Sequence, residues 1–291
     1  MFGGNMMARK WNMIVDISRC ENCRSCFLAV KDEHIGNDFP GYAAPQPPHG
    51  HNWVDIQRKE RGSYPIVEAN FMPVMCNHCD DAPCMKAATG GAVSKRADGI
   101  VIIDPEKSKG QKAIVDACPY GAVYWNEEEQ IPQAWIFDAH LLDQGWTKPR
   151  IEKICPTGVF RSIKVEDEEM QRLKEKEGLE VLQPECGTKP RVYYKNLHLM
   201  KKCFVAGSVV VNVKGVEECA EDAEVILNQN GSEVARATTD IFGEFKIDKL
   251  EKKSGGYELE VSSDSSGSIS VEFDLGDESL YLGDMTLAVG V

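Results

Sequence analysis

Eight of the eleven cysteines in this 291-residue chain fall into two triplets and two Cys-Pro dipeptides, and no other feature restricts the fold as much. Cys20, Cys23 and Cys26 are separated by two residues each in RCENCRSCF, and Cys76, Cys79 and Cys84 follow a two-and-four spacing in CNHCDDAPCM. Three cysteines in one tight loop let thiolates reach three corners of an iron-sulfur cubane, and the fourth corner needs a ligand from elsewhere in the chain. Zinc sites are built instead from separated Cys-x2-Cys pairs. Cys118-Pro119 and Cys155-Pro156 offer the missing ligands, so the chain has eight thiolates, enough for two [4Fe-4S] clusters. Spacing alone does not fix which single cysteine completes which triplet. Cys186, Cys203 and Cys219 stand apart and read as free thiols or small core residues.

Clustered cysteines in a chain of this size, with no secretory pattern in MFGGNMMARKWNMIVD, point to metal binding in a cytoplasmic protein and away from a disulfide framework. The longest uncharged apolar runs, such as Phe204 to Val213, fall well short of the roughly twenty residues a membrane helix needs, so no membrane span is expected. The formal charge of -13 is unevenly placed: residues 204–291 hold 6 Lys+Arg and 18 Asp+Glu, a net of -12, which leaves -1 for the first 203. An acidic module repels phosphate backbones, which disfavours nucleic acid as a partner, and the asymmetry suggests a domain boundary.

Short β-like runs, Trp11 to Ile17 and Ala92 to Ile103 with an Asp98-Gly99 turn, alternate with the cysteine loops. They suit a ferredoxin-like α+β domain over residues 1–165. Residues 166–203 read as a solvated helix ending at Gly178, then a basic, aromatic linker, ECGTKPRVYYKNLHLMKK, that lies against a partner or packs across its own domain. Seven alternating runs from VVVNVKG to LYLGDMTLAV predict an all-β antiparallel sandwich over residues 204–291.

His34 and His78 invite ligand or acid-base roles. With Cys76 and Cys79 already filling the ligand count, His78 is expected to offer an N–H near a cluster sulfur or to face solvent. Glu127-Glu128-Glu129 reads as exposed charge. No GxSxG, Walker A, HExxH or dinucleotide fingerprint occurs, so no catalytic residue is expected on this chain.

The stretches KDEHIGNDFPGY, HNWVDIQRKERGSYP, CNHCDDAPC, RADGIVIIDPEKSKG, CPYGAVYWNEEE, AHLLD, GLEVLQPECGTKPRVYYKNL and ATTDIFGEFKIDKL together resemble the multi-cluster ferredoxin subunits of molybdopterin enzymes in the dimethyl sulfoxide reductase family. Within it the chain is most similar to small subunits of transhydroxylases acting on polyhydroxylated aromatics. The resemblance implies a large catalytic partner carrying molybdopterin with Mo or W, in a heterodimer. It also implies nested pairing, Cys155 with Cys20, Cys23 and Cys26, and Cys118 with Cys76, Cys79 and Cys84. Such subunits hold a third cluster, whose ligand positions here are Val30, Trp135, Asp138 and Ile151. All four ligands are missing together, which suggests a two-cluster protein. The last domain resembles the Cna-B or carboxypeptidase-regulatory sandwich, a contact module. Three roles follow: electron-transfer subunit of a transhydroxylase; subunit of a phenol hydroxylase or catechol dehydroxylase with net electron flow; or structural and assembly subunit whose clusters do not turn over.

Overall fold

Four consecutive residues of KWNMIVD, Asn12 to Val15, are buried, which is how a strand inside a sheet covered on both faces reads. In the computed structural model, which describes residues 8–263 and 266–288, this segment is β1 (Lys10–Asp16). After it come the first cysteine loop, α1 (Ser25–His34), and a hairpin of β2 (Val54–Ser63) and β3 (Ile66–Met75). The second cysteine loop runs into α2 (Pro83–Ala87), and the hairpin β4 (Val93–Lys95) and β5 (Val101–Ile103) turns at Asp98-Gly99 as expected. Next are α3 (Ala113–Asp116), the hairpin β6 (Tyr124–Asn126) and β7 (Ile131–Gln133), α4 (Ala139–Asp143), α5 (Arg150–Ile154), β8 (Phe160–Val165), α6 (Asp167–Glu177), β9 (Val192–Lys195) and α7 (His198–Lys201).

β1 is the centre of a three-stranded sheet, antiparallel to β8 and parallel to β9. α6 ends where Gly178 takes up a left-handed conformation and its N–H caps the last turn, and Met170 seats the helix on Ile14 and Leu179. The basic aromatic segment packs across its own unit: Tyr194 is fully buried and its hydroxyl donates to the Pro73 carbonyl at 3.0 Å.

The chain divides into two units, one running to Arg58 with Phe71–Leu197, the other Lys59–Asn70 with the residues from His198 on. This differs from the expected three-part division in two places. Residues 166–197 belong to the first unit, because α6 and β9 pack on β1. The hairpin tip, 59–70, belongs with the last domain, a long-range association that no local pattern announces.

The second unit holds β10 (Cys203–Val213), β11 (Val216–Cys219), β12 (Glu224–Gln229), β13 (Ser232–Thr238), β14 (Glu244–Leu250), β15 (Gly255–Ser263), β16 (Gly267–Leu275) and β17 (Leu280–Leu287). β10 pairs with β11, β14 and β17 in one sheet, and β13-β12-β15-β16 form another. Val205, Val209, Phe245 and Ile247 of the first sheet share one core with Val225, Leu227, Leu259 and Val261 of the second. The expected purely antiparallel pairing is corrected at one place: β17 runs parallel to β10. In the TTDIFGEF turn, Thr239 Oγ1 accepts from the Ala223 N–H and donates to the Ala220 carbonyl. Gly243 sits at φ +73° with the Val209 carbonyl where a Cβ would stand, so only glycine closes this turn.

Arg61, 2% exposed, ties the hairpin tip into this unit. Its guanidinium donates to both Asp248 oxygens (2.8 and 3.0 Å) and to Glu68 (2.6 Å), and lies 5.3 Å over the Phe204 ring. Burial alone would raise the Asp248 and Glu68 pKa values, but hydrogen bonds, from Arg61 to Asp248 and from Lys246 and Arg61 to Glu68, hold both below the usual range. Arg61→Met is expected to destabilise this unit by about 3 kcal/mol, the low end for breaking a buried pair because both carboxylates keep some contact with water. Carboxylates with depressed folded pKa values add stability above their unfolded pKa, near 4, and lose it as pH falls through the folded value. The gap between wild type and variant in denaturant melts should therefore be widest near pH 7 and shrink as pH falls below about 4; a gap that does not change with pH would remove the ion pair as its cause.

Candidate metal centres

Both cysteine loops are shaped by left-handed residues placed between the ligands. Asn22 (φ 56°) and Arg24 (φ 60°) turn the first loop, and His78 (φ 45°) turns the second. Such turns point successive backbone N–H groups into a concavity that favours anions, including the thiolates around an iron-sulfur cluster. The N–H groups of Asn22 and Phe27 accordingly favour the ionised forms of Cys20 and Cys26, and those of His78 and Met85 do the same for Cys76 and Cys84.

The fold brings the single cysteines to the loops. Cys155, at the C-terminal end of α5, lines one cavity with Cys20, Cys23 and Cys26, walled by Ile56, Pro73, Val159 and Phe160. Cys118, just past α3, packs with Cys76 and Cys84 against Val93, Val101, Ile103 and Ile114. Cys79, also close to Cys118, is buried beside them. The resulting sets are Cys20, Cys23, Cys26 and Cys155, and Cys76, Cys79, Cys84 and Cys118. Around the first set, the Val159 N–H donates to Cys155 Sγ at 3.3 Å, and Thr157 Oγ1 lies 3.7 Å from the same sulfur. Thr188 stabilises the ionised form of Cys79 by a side-chain hydrogen bond.

Burial pushes the Cys26 thiol up to about 12, Cys79 and Cys84 up to about 11, and Cys76 well above its usual value, with repulsion from the other sulfurs of each set adding to the rise. Four thiolates in such surroundings need compensating positive charge, which iron supplies as it displaces the protons. Among the described residues no three His, Cys, Asp or Glu side chains converge as they would around a single ion. A cubane makes a different demand, one thiolate at each of four corners, and each set of four around an apolar-walled space fits it. A bound [4Fe-4S] cluster takes up and releases one electron at a time.

His78 does not face solvent. It is buried, its Nδ1 accepts from the Val101 N–H at 3.1 Å and lies 3.9 Å from Cys76 Sγ, as expected of a group beside a ligand sulfur, and the ring packs against the stacked Trp135–Phe137 pair, so burial pushes its pKa down to about 3. His34 is fully buried among Phe39, Trp53 and His140, with burial lowering its pKa to about 3, and is remote from a ligand role. Glu127, Glu128 and Glu129 are exposed in a turn held by Asn126 Oδ1. Cys186 and Cys219 are exposed and Cys203 is buried, each outside both sets. Lys95, which nothing in its spacing singles out, lies against the second loop: its ammonium donates to the carbonyls of His78 and Cys79.

A family profile described as a 4Fe-4S dicluster domain matches residues 67–165. The beta chain of dimethylsulfide dehydrogenase from Rhodovulum sulfidophilum is 36% identical, covering 51% of this chain and 46% of its own. A tetrathionate reductase subunit of Salmonella typhimurium is 30% identical over 65% of this chain and 73% of its own. The pyrogallol hydroxytransferase small subunit of Pelobacter acidigallici is 44% identical over 281 residues, 96% of this chain and 99% of its own. With that identity sustained along nearly the full length of both chains, this chain belongs to the family of pyrogallol hydroxytransferase small subunits.

Proposed function

We propose that this chain is the iron-sulfur subunit of a cytoplasmic molybdopterin enzyme acting on polyhydroxylated aromatics, most like pyrogallol–phloroglucinol transhydroxylase. It carries two [4Fe-4S] clusters, one on Cys20, Cys23, Cys26 and Cys155 and one on Cys76, Cys79, Cys84 and Cys118. The catalytic residues and the molybdopterin, with Mo or W, lie on a large subunit with which it forms a heterodimer. The observation that carries this reading is the gathering of eight cysteines into two sets of four in a chain so similar to a hydroxytransferase small subunit. The last domain is a sandwich of the Cna-B or carboxypeptidase-regulatory type and serves contacts. A cluster count of two is supported by Val30, Trp135, Asp138 and Ile151, all of them buried side chains with no thiol among them.

Anaerobic purification from the native source tests the reading. The expected product is a complex with a large Mo- or W-containing subunit and about eight irons on this chain. About twelve irons per heterodimer, with none on the large subunit, would sink the two-cluster count. A steady-state requirement for an external electron donor or acceptor would move the reaction to a hydroxylase or dehydroxylase with net electron flow. Clusters held in one oxidation state throughout turnover would make the subunit structural.

A further inference from the structure

We propose that Lys95 raises the reduction potential of the centre at Cys76, Cys79, Cys84 and Cys118 by fixing a buried positive charge directly behind its loop. This rests on the cluster assignment above and deepens it. Lys95, on β4, has a side chain only 16% exposed, and its Nζ donates to the carbonyls of His78 (2.8 Å), Cys79 (2.9 Å) and Gly99 (2.9 Å) and lies 2.9 Å from Asp80. Lysine heads ordinarily reach for water. This one is held by four acceptors, two of them main-chain atoms of the ligand loop itself, so its distance from the sulfurs is set by the fold.

The surrounding charges do not cancel it. Arg191, with a side chain 4% exposed, pairs with Asp80 and with Asp167 (2.9 Å) and donates to Asn12 Oδ1. Lys10 reaches Asp167 at 2.7 Å and Asp80 at 3.9 Å. Three cations, Lys10, Lys95 and Arg191, thus share two carboxylates, Asp80 and Asp167, and the bracket keeps one positive charge. A cluster on four thiolates is anionic, and reduction adds a further negative charge. A cation fixed in a poorly solvated site favours that added charge more than the same cation in water would. Net charge and hydrogen bonding are the quantities that spread cluster potentials over their wide range.

A clip that merely holds the loop together would explain the three carbonyl contacts but would give no sign to the effect of neighbouring charges. The test uses both signs. The complete chain, purified anaerobically with its partner as Lys95→Met and as Asp80→Asn, is titrated by EPR at controlled potentials with iron measured in parallel. Lys95→Met removes a cation, and its centre should become about tenfold harder to reduce, a midpoint lower by about 59 mV for one electron. Asp80→Asn removes an anion and should move the same midpoint upward, while the Cys20 centre shifts less in both. Equal iron with unmoved midpoints, or shifts of the same sign in both variants, would overturn the proposal. If Lys95→Met loses its iron, Asp80→Asn decides alone: a raised midpoint supports the charge effect and an unmoved or lowered one defeats it. Wild-type protein lacking iron at Cys76, Cys79 and Cys84 would defeat the cluster assignment instead, an outcome visible before any variant is made.

Discussion

Cys118→Ser and Cys155→Ser should each halve the iron of the chain, from about eight to about four, and each should abolish a different EPR signal. Cys118 stands with Cys76, Cys79 and Cys84, and Cys155 with Cys20, Cys23 and Cys26. The signal lost in Cys155→Ser should therefore be the one lost in Cys23→Ser, and that lost in Cys118→Ser the one lost in Cys84→Ser. Stability should fall with the iron, since ligand thiols pushed up in pKa by burial are costly to ionise without metal, and metal binding and folding are then one equilibrium. Either variant retaining its full iron would refute the ligand assignment. Cys118→Ser and Cys23→Ser losing the same signal would refute the pairing.

The two triplets stood out because a cubane would impose its geometry on a few consecutive residues, so such chemistry is written in local spacing. Which single cysteine joins which triplet was not legible in that way. Cys155 reaches the first loop only because α5 leads into β8, which pairs with β1, and the first loop begins where β1 ends. Helix-forming composition and the Gly178 cap announced α6, and period-two alternation announced most strands of the last domain. Alternation was silent on which strands pair, hence the parallel β10–β17 contact, and on the tip at 59–70, whose membership of the second unit depends on Arg61 meeting Asp248. β9 escaped for a related reason: four residues flanked by basic and aromatic side chains carry too short a pattern, and what makes them a strand is the vacant parallel edge of β1. Lys95 is the extreme case. As a letter in VSK it is one more strand-end lysine, and only the folded chain shows three carbonyls converging on its ammonium.

Trp135→Ala is expected to cost about 3–5 kcal/mol of stability in the first unit, the range for removing a large aromatic from a core that cannot collapse. The resemblance places a third cluster's ligands at Val30, Trp135, Asp138 and Ile151, and removing a cluster from a fold leaves a void that must be filled. Trp135 is fully buried, stacked on Phe137 at 4.9 Å, with the His78 ring at 5.7 Å. Its indole N–H donates to Asp138 Oδ1 (3.4 Å), and Asp138 Oδ2 accepts the N–H of Arg150 (2.6 Å) at the start of α5, next to buried Ile151. The Arg150 guanidinium then bridges to Asp32 (2.7 Å) and Glu33 (2.6 Å) on α1, the helix that carries Val30. Side chains at or beside the four positions thus form one connected packing and hydrogen-bond path, doing for α1 and α5 what shared metal ligands would do. Because α5 ends at Cys155 and α1 contains Cys26, loosening that path should also speed iron loss from the Cys20 centre under chelation while the Cys76 centre keeps its iron longer. Thermal melts and chelation kinetics of Trp135→Ala against Trp135→Phe measure both effects. A loss below about 1 kcal/mol would mean that the region closes over the missing indole, and that packing at Trp135 does not replace a cluster.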